Sequence, residues 1–421
     1  MKLLWLCNLT PDVVQQKMFG SSVGGMWVDQ VLAGLRQRED LQIHVFCPNA
    51  LVQSGAVDER CTYETFRNGK PEQYLPELEK RFAAFLQEYK PDVIHIWGTE
   101  FAHTLAMVNA CEKQGLLDRV AISIQGLCSV CAGHYMEGLP LSVCYGYTFR
   151  DFVKQDNIRQ QQRTFARRGE LEVEALKKVR HVIGRTEWDF ACTQRIHPGV
   201  HYHFCNETLR EPFYEGQWQY ETCQKHRIFA PSAMYPLKGF HYLLEAFAEV
   251  LKTYPDATLA LPGRNPAVGG LKTRLRQNSY KRYLAKRIQA LGLQGKVEFL
   301  GRLSAEQMKE NYLRANVFVS PSAIENSPNS LGEAMLLGVP CVASDVGGVT
   351  TLMRHWQEGF VYQSTAPYML AHYIQKVFAM GEEATRLGEA ARAHARVTHD
   401  PGMNLEDLLD IYSLLAQQEG E

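Results

Sequence analysis

The stretch SPSAIENSPNSLGEAMLLGVPCVASDVGG, Ser320–Gly348, reads as strand, loop, helix and strand in immediate succession. The apolar run Val317–Ser320 leads into it and Pro340–Ala343 follows its helix, which predicts one βαβ step of a parallel sheet. The strand at 317–320 then ends at the carboxyl edge of that sheet, where doubly wound folds bind ligands. Loop 321–329 follows, and a helix is expected from Asn329 or Ser330. A helix start presents unpaired N–H groups and a positive dipole end, which suits a diphosphate. Glu325 and Glu333 form E-x7-E across this start, one in the loop and one about a turn into the helix. A carboxylate accepts hydrogen bonds from paired hydroxyls, so ribose and a transferred sugar are the candidates. For two glutamates alone, the competing reading is a first-turn dipole residue and an exposed loop acid.

Outward from this stretch the same alternation recurs. Apolar runs at Arg227–Ala230, Thr258–Leu261, Val297–Leu300 and Phe360–Val361 extend one Rossmann-like sheet, and Leu3–Leu6, Ile43–Phe46, Val93–Ile96, Ala121–Ile124 and Val179–Ile183 make another. Amphipathic stretches such as Val28–Arg36 and Leu75–Gln87 lie between the strands. The fold class is therefore α/β with two doubly wound parallel-sheet domains. The boundaries expected are 1–205 and 227–400, with an aromatic and polar connection at 206–226 and a C-terminal helix in 401–421 able to pack back on the first domain. A chain of 421 residues exceeds what one core usually supports, in keeping with two domains.

Apolar residues at 45% and charged residues at 22% describe an ordinary globular chain. A formal charge of −1 supplies no global field for nucleic acid or an anionic membrane. Two local runs are basic, 150–180 and 272–287, the second with no acid at all. Solvated helix faces are the default for such runs, with peripheral membrane docking as the alternative. Eleven scattered cysteines and an apolar strand at Lys2–Leu6 with no leader before it give a cytoplasmic expectation, at the membrane surface if anywhere near one. Cys128-x2-Cys131 with His134 has half the spacing of a metal site and lacks a second half, so no metal is expected.

The segment Ser320–Gly348, together with VGG near the start, PLKGFHYLLEAF and VEFLGRLS, resembles the family-4 glycosyltransferases, which have the GT-B fold and are mostly retaining enzymes. The resemblance covers most of the chain and implies a nucleotide sugar bound between the two halves. By it, Glu325 contacts the transferred sugar, Glu333 the nucleotide ribose, and Asn329, Ser330 and Leu331 the sugar and phosphates. Lys238 of Pro-Leu-Lys-Gly would neutralise the leaving diphosphate as a point cation. Gly263 of LPGR and Gly301, Arg302 and Leu303 of LGRL would approach the nucleotide, structural turns being the alternative for the glycines. Gly24 and Gly25 would form the first-domain loop that closes on the donor phosphate and acceptor. The nucleotide sugar is a substrate, so no cofactor is expected, and UDP is the favoured nucleotide. A glycan, a lipid-linked glycan or a small molecule is the expected acceptor, no nucleic-acid partner is expected, and the oligomeric state stays open.

Two departures bear on chemistry. Gln125 stands where many family members have a histidine, and Ser232 where many have an arginine six residues before the phosphate lysine. Glutamine orients a hydroxyl without titrating, and a lost arginine removes a counter-charge. Arg185 and Arg264 are candidate substitutes, with structural salt bridges as the alternative. Glu100, His134 and Arg185 are acceptor-side candidates, and His95 reads as a satisfied core histidine. Beside retaining, metal-independent glycosyl transfer, a catalytically silent sugar-nucleotide binder and a GT-B epimerase remain open.

Overall fold

The computed structural model describes residues 1–21, 27–232, 235–266, 268, 270 and 275–417. The chain divides into two compact units, one of Met1–Ala132, Thr164–Arg210 and His399–Glu421, the other of Gly133–Arg163 and Glu211–Thr398.

The first unit is built on an eight-stranded sheet of order β3-β4-β2-β1-β5-β6-β7-β8. Its strands are β1 (Lys2–Cys7), β2 (Gln42–Pro48), β3 (Ser54–Ala56), β4 (Cys61–Phe66), β5 (Val93–Trp97), β6 (Val120–Ser123), β7 (His181–Gly184) and β8 (His201–Phe204). All neighbours are parallel except β3 against β4. Strands β1 and β5 are buried along nearly their whole length, as continuous apolar runs covered on both faces must be. The helices Trp27–Arg36 and Pro76–Tyr89 fall on the expected stretches. Strands β3, β4 and β8 were not expected. Cys61–Phe66 alternates buried and more exposed positions with polar Thr62 and Glu64, so no apolar run marks it.

The terminal helix Pro401–Ala416 completes the core of this unit. Its Leu408, Ile411, Tyr412 and Leu415 join Leu3, Trp5, Leu32 and Val45 in one apolar cluster. The Tyr412 hydroxyl accepts from Trp5 Nε1 at 3.0 Å and pairs with His95 Nδ1 at 2.6 Å. His95 Nε2 meets Ser123 Oγ at 2.7 Å, so both ring nitrogens are engaged within the core. Burial holds this ring down at about 3, neutral at any ordinary pH.

The second unit carries a six-stranded parallel sheet of order β11-β10-β9-β12-β13-β14. Its strands are β9 (Arg227–Phe229), β10 (Thr258–Leu261), β11 (Val297–Phe299), β12 (Val317–Ser320), β13 (Cys341–Asp345) and β14 (Phe360–Gln363). The expected connection at 206–226 is not a free linker. Phe213 and Trp218 are core residues of this unit, and Trp218 Nε1 donates to the Ala315 carbonyl at 2.7 Å.

Gly133–Arg163 departs from the expected 1–205 domain. This segment packs within the second unit through polar contacts that no periodicity advertises. Buried Asp151 accepts from the Ser279 amide at 2.8 Å and from the Ser279 hydroxyl, while Thr148 Oγ1 donates to the Gln277 carbonyl at 2.7 Å. His241 Nε2 meets the Glu137 carbonyl at 3.2 Å. Among the described residues, no helix is long and apolar enough to cross a membrane.

Candidate donor site

Consecutive strands of the second sheet run outward from β9 through β10 to β11, and from β12 through β13 to β14 in the opposite direction. The order therefore reverses between β9 and β12, and the loops that leave these adjacent strands diverge there, opening a crevice at the carboxyl edge. Both strongest sequence motifs lie on these two loops.

After β9 the chain makes a single turn of 3-10 helix at Pro236–Lys238, then passes through Gly239 into the helix Phe240–Thr253. Gly239 has φ +61°, and a Cβ there would come 1.8 Å from the Pro321 carbonyl oxygen. Only glycine permits this approach, which locks the lysine loop against the loop after β12. The Ala323 amide donates to the Leu237 carbonyl at 2.8 Å across the same contact. Lys238 Nζ consequently reaches Glu325 Oε1 at 2.5 Å, and Ser322 Oγ donates to the same oxygen at 2.7 Å. The two residues singled out on separate motifs thus form an ion pair, with 26% and 14% of their side chains exposed.

The helix after β12 is Asn329–Leu337, preceded by Pro328, which makes no side-chain cap. Leu331 and Gly332 amides bond to the Pro328 carbonyl, while Asn329 and Ser330 occupy the first turn without a capping side chain. Glu333 is buried one turn in, where Tyr312 Oη lies 3.5 Å from its Oε2 and donates to the Ser330 carbonyl at 3.0 Å. Tyr312 was not anticipated, since a tyrosine on the preceding helix carries no motif. The Gly347 end of the quoted stretch turns back on this loop, and a Cβ at Gly347 would stand 1.7 Å from the Glu325 carbonyl oxygen.

Along the same sheet edge, Gly263 and Gly301 pair with each other through amide–carbonyl bonds of 2.7 and 2.9 Å. They line a cavity of about 540 Å³ with Arg264, Arg302, Leu303, Ser232 and Lys281. Three cations therefore line the same cavity as the serine that stands in the arginine position. Lys281 belongs to the basic run read as a solvated helix face; its place beside β10 and β11 came only from the fold.

The first sheet has its own reversal, between β1 and β5. Asn8 Nδ2 donates to Glu100 Oε2 there, and His103 Nε2 meets Asn8 Oδ1 at 2.8 Å. Gly98, at φ +104°, admits both groups, since a Cβ would lie 2.2 Å from Asn8 Nδ2 and 2.3 Å from Glu100 Oε2. Desolvation pushes the Glu100 carboxyl up to about 7, with the Glu172 carboxylate adding to the rise. Burial holds His103 down at about 3. Gly24 and Gly25 lie outside the described residues.

Gln125 and Arg185 sit further along this edge, after β6 and β7. Arg185 pairs with Glu207, both 7% exposed or less, and Arg185 Nη2 donates to Gln125 Oε1 at 3.4 Å while Gln125 Nε2 donates to Glu207. Both ends of the Gln125 amide are thus engaged, and the Arg185 guanidinium is held between Glu207 and Gln125. Glu207, the hub of this network, carried no motif. His134 belongs to the second unit, paired with Glu137 at 2.7 Å, whereas Glu100 and Arg185 belong to the first.

Residues 222–394 match the family model of the glycosyl transferases group 1. The D-inositol 3-phosphate glycosyltransferase of Corynebacterium urealyticum is 28% identical over 160 residues, 38% of this chain and 36% of that protein. The matched stretches span about a third of the length of such curated relatives. Among solved structures, sucrose-phosphate synthase from Thermosynechococcus elongatus is similar at a TM-score of 0.71 and 16% identity, covering 99% of both chains. Anabaena HepE in complex with UDP-glucose is similar at 0.66 and 18% identity, covering 98% of this chain and 99% of that one. The fold is that of the GT-B glycosyltransferases. The stretch 222–394 that matches this family model holds Lys238, Glu325 and Glu333.

Proposed function

We propose that the protein is a retaining glycosyltransferase that moves a sugar from a nucleotide sugar, with a UDP-sugar favoured, to a glycan, lipid-linked or small-molecule acceptor. The observation that carries this reading is the Lys238–Glu325 pair at the strand reversal, beside the uncapped start of helix Asn329–Leu337. A diphosphate placed against the Asn329 and Ser330 amides meets the helix dipole and competes with Glu325 for the Lys238 ammonium, the Leu331 amide being taken by the Pro328 carbonyl. Glu325, released from the lysine, accepts from hydroxyls of the transferred sugar, and Glu333 from the ribose. Arg264, Arg302 and Lys281 supply the counter-charge that Ser232 lacks. HepE, of the same fold, binds UDP-glucose, which favours UDP here.

Charge builds on the departing phosphate as the glycosidic bond breaks, and preorganised donors aimed at that charge lower the barrier. A donor phosphate oxygen takes the acceptor proton, so neither a protein nucleophile nor a metal is called for. Glu100, on the edge of the first sheet, suits hydrogen bonding to an acceptor hydroxyl. This reading implies polysaccharide biosynthesis in the cytoplasm.

Thermal stabilisation by UDP-, GDP- and ADP-sugars identifies the donor, since a ligand of the folded state raises Tm. With that donor, Lys238→Ala and Glu325→Ala should each lower turnover by about 10²–10³-fold, the range for removing one stabilising donor, while Tm without ligand shifts little. Near-normal turnover in both variants refutes the reading. The engagement of Gln125 by Arg185 and Glu207 favours a second reading, a silent sugar-nucleotide binder. Donor hydrolysis or transfer by the purified protein excludes it.

A further inference from the structure

Within thirteen residues of the second unit, Leu141 to Val153, the chain exposes Leu141, Tyr145, Tyr147, Phe149, Phe152 and Val153. Scattered exposed apolar side chains are normal; a cluster of this density marks a contact surface. Phe149 and Phe152 are each 66% exposed and stand with Val153 at i, i+3 and i+4 on the helix Phe149–Lys154. They share its outer face, because Asp151, between them in sequence, points inward to Ser279. The capping box of Thr148 and Asp151 fixes this helix at its start. The apolar face is therefore held outward by construction rather than left over by a loop.

Its surroundings are cationic. Phe149 also lines a concavity of about 580 Å³ with Thr148, Leu275, Arg282 and Lys286. Arg282 and Lys286 lie four apart on the helix Ser279–Ala290, which contains no acid, and both are exposed. Among the described residues, no carboxylate lines the concavity. Lys154 is exposed at the end of the aromatic helix, and Arg150 is balanced by Asp151 and Asp156.

We propose that this face docks the protein on an anionic lipid surface, Phe149, Phe152 and Val153 entering the acyl boundary and Arg282 and Lys286 meeting lipid phosphates. Tyr145 and Tyr147 suit the headgroup level, where a ring with a polar tip satisfies both phases. Apolar anchoring and electrostatic attraction together describe an interfacial element, and neither alone gives durable binding. A second copy of the chain fits less well, since a two-fold contact through this face would oppose Arg282 and Lys286 to themselves. Docking here does not depend on the donor assignment.

Sedimentation of the full chain with vesicles of phosphatidylglycerol and phosphatidylcholine, against phosphatidylcholine alone, tests the proposal. Binding is expected only to the anionic vesicles, weakening as salt rises. The double substitution Phe149→Ser/Phe152→Ser should lower partitioning at least about tenfold, and Arg282→Ala/Lys286→Ala should lower it roughly tenfold and flatten the salt dependence. Stabilisation by a UDP-sugar should persist in both variants, so loss of that response alone counts against the donor site and not against docking. Equal binding to both vesicle types, or full binding by both variants, overturns the proposal. So does stabilisation by inorganic phosphate without vesicle binding, which would mark a small-anion site, or a concentration-dependent dimer that Phe152→Ser dissolves.

Discussion

The two sheets each reverse their strand order once, and the side chains at the two reversals are of opposite character. At β9/β12 a lysine and a glutamate, partly open to solvent, stand beside a helix start without a side-chain cap. At β1/β5 an asparagine, a neutral histidine and a carboxyl with a raised pKa hydrogen-bond around a glycine. The first arrangement holds a fixed cation and anion that solvent reaches. The second offers polarity with little fixed charge. One topology thus carries two electrostatic settings, and burial sets them apart.

The same distinction separates two ion pairs, and their removal should sharpen it. Arg185→Ala strands Glu207 without its counter-ion in a closed environment, and a loss of about 3–5 kcal/mol in unfolding free energy is expected by denaturant titration. Lys238→Ala removes a cation whose partner reaches solvent, so its cost should fall on turnover rather than on stability. If Arg185→Ala left stability intact, burial would not be what distinguishes the two pairs.

A smaller effect is expected from the cavity beside β10 and β11. Arg264→Ala and Lys281→Ala should each weaken UDP binding by roughly tenfold in calorimetry, as loss of one charge-assisted contact implies. Unchanged affinity in both would leave the Ser232 position uncompensated.

A pH-dependent effect concerns the β1/β5 reversal. A carboxyl raised to about 7 in the folded state favours folding while protonated, and that contribution fades as pH rises from about 4.5, the unfolded value, through 7. Glu100→Gln should therefore gain stability relative to the parent across this window. Buried His95 and His103 act oppositely as pH falls below their usual value, and the difference between variant and parent removes them. A pH-independent difference would show that Glu100 titrates normally.

Much of this was legible in the sequence because parallel strands covered on both faces must be apolar runs. The central strands of both sheets declared themselves in that way, while Lys238 and Glu325 were singled out by motif and resemblance and lie on the loops that follow β9 and β12. The edge strands β3 and β8, and β4 next to the edge, did not, since half-exposed strands carry polar residues. Gly133–Arg163 was assigned to the wrong unit because Asp151–Ser279 and Thr148–Gln277 are long-range polar contacts, invisible to periodicity. The partner of Gln125 was missed for the same reason. Glu207 lies 82 residues away and reaches it only after β6, β7 and β8 align.

The boundaries of the units at 132/133, 163/164, 210/211 and 398/399 mean that the polypeptide switches allegiance four times. Neither unit is one continuous piece of chain. A fragment ending at Cys205 would lack Tyr412 and so expose the indole of Trp5 and the imidazole of His95, while carrying Gly133–Arg163 without the Ser279 that receives it. An independently folding first unit would need residues 399–421 grafted after Arg210 and a short bridge from Ala132 to Thr164, so truncation at the midpoint is the wrong way to isolate either function.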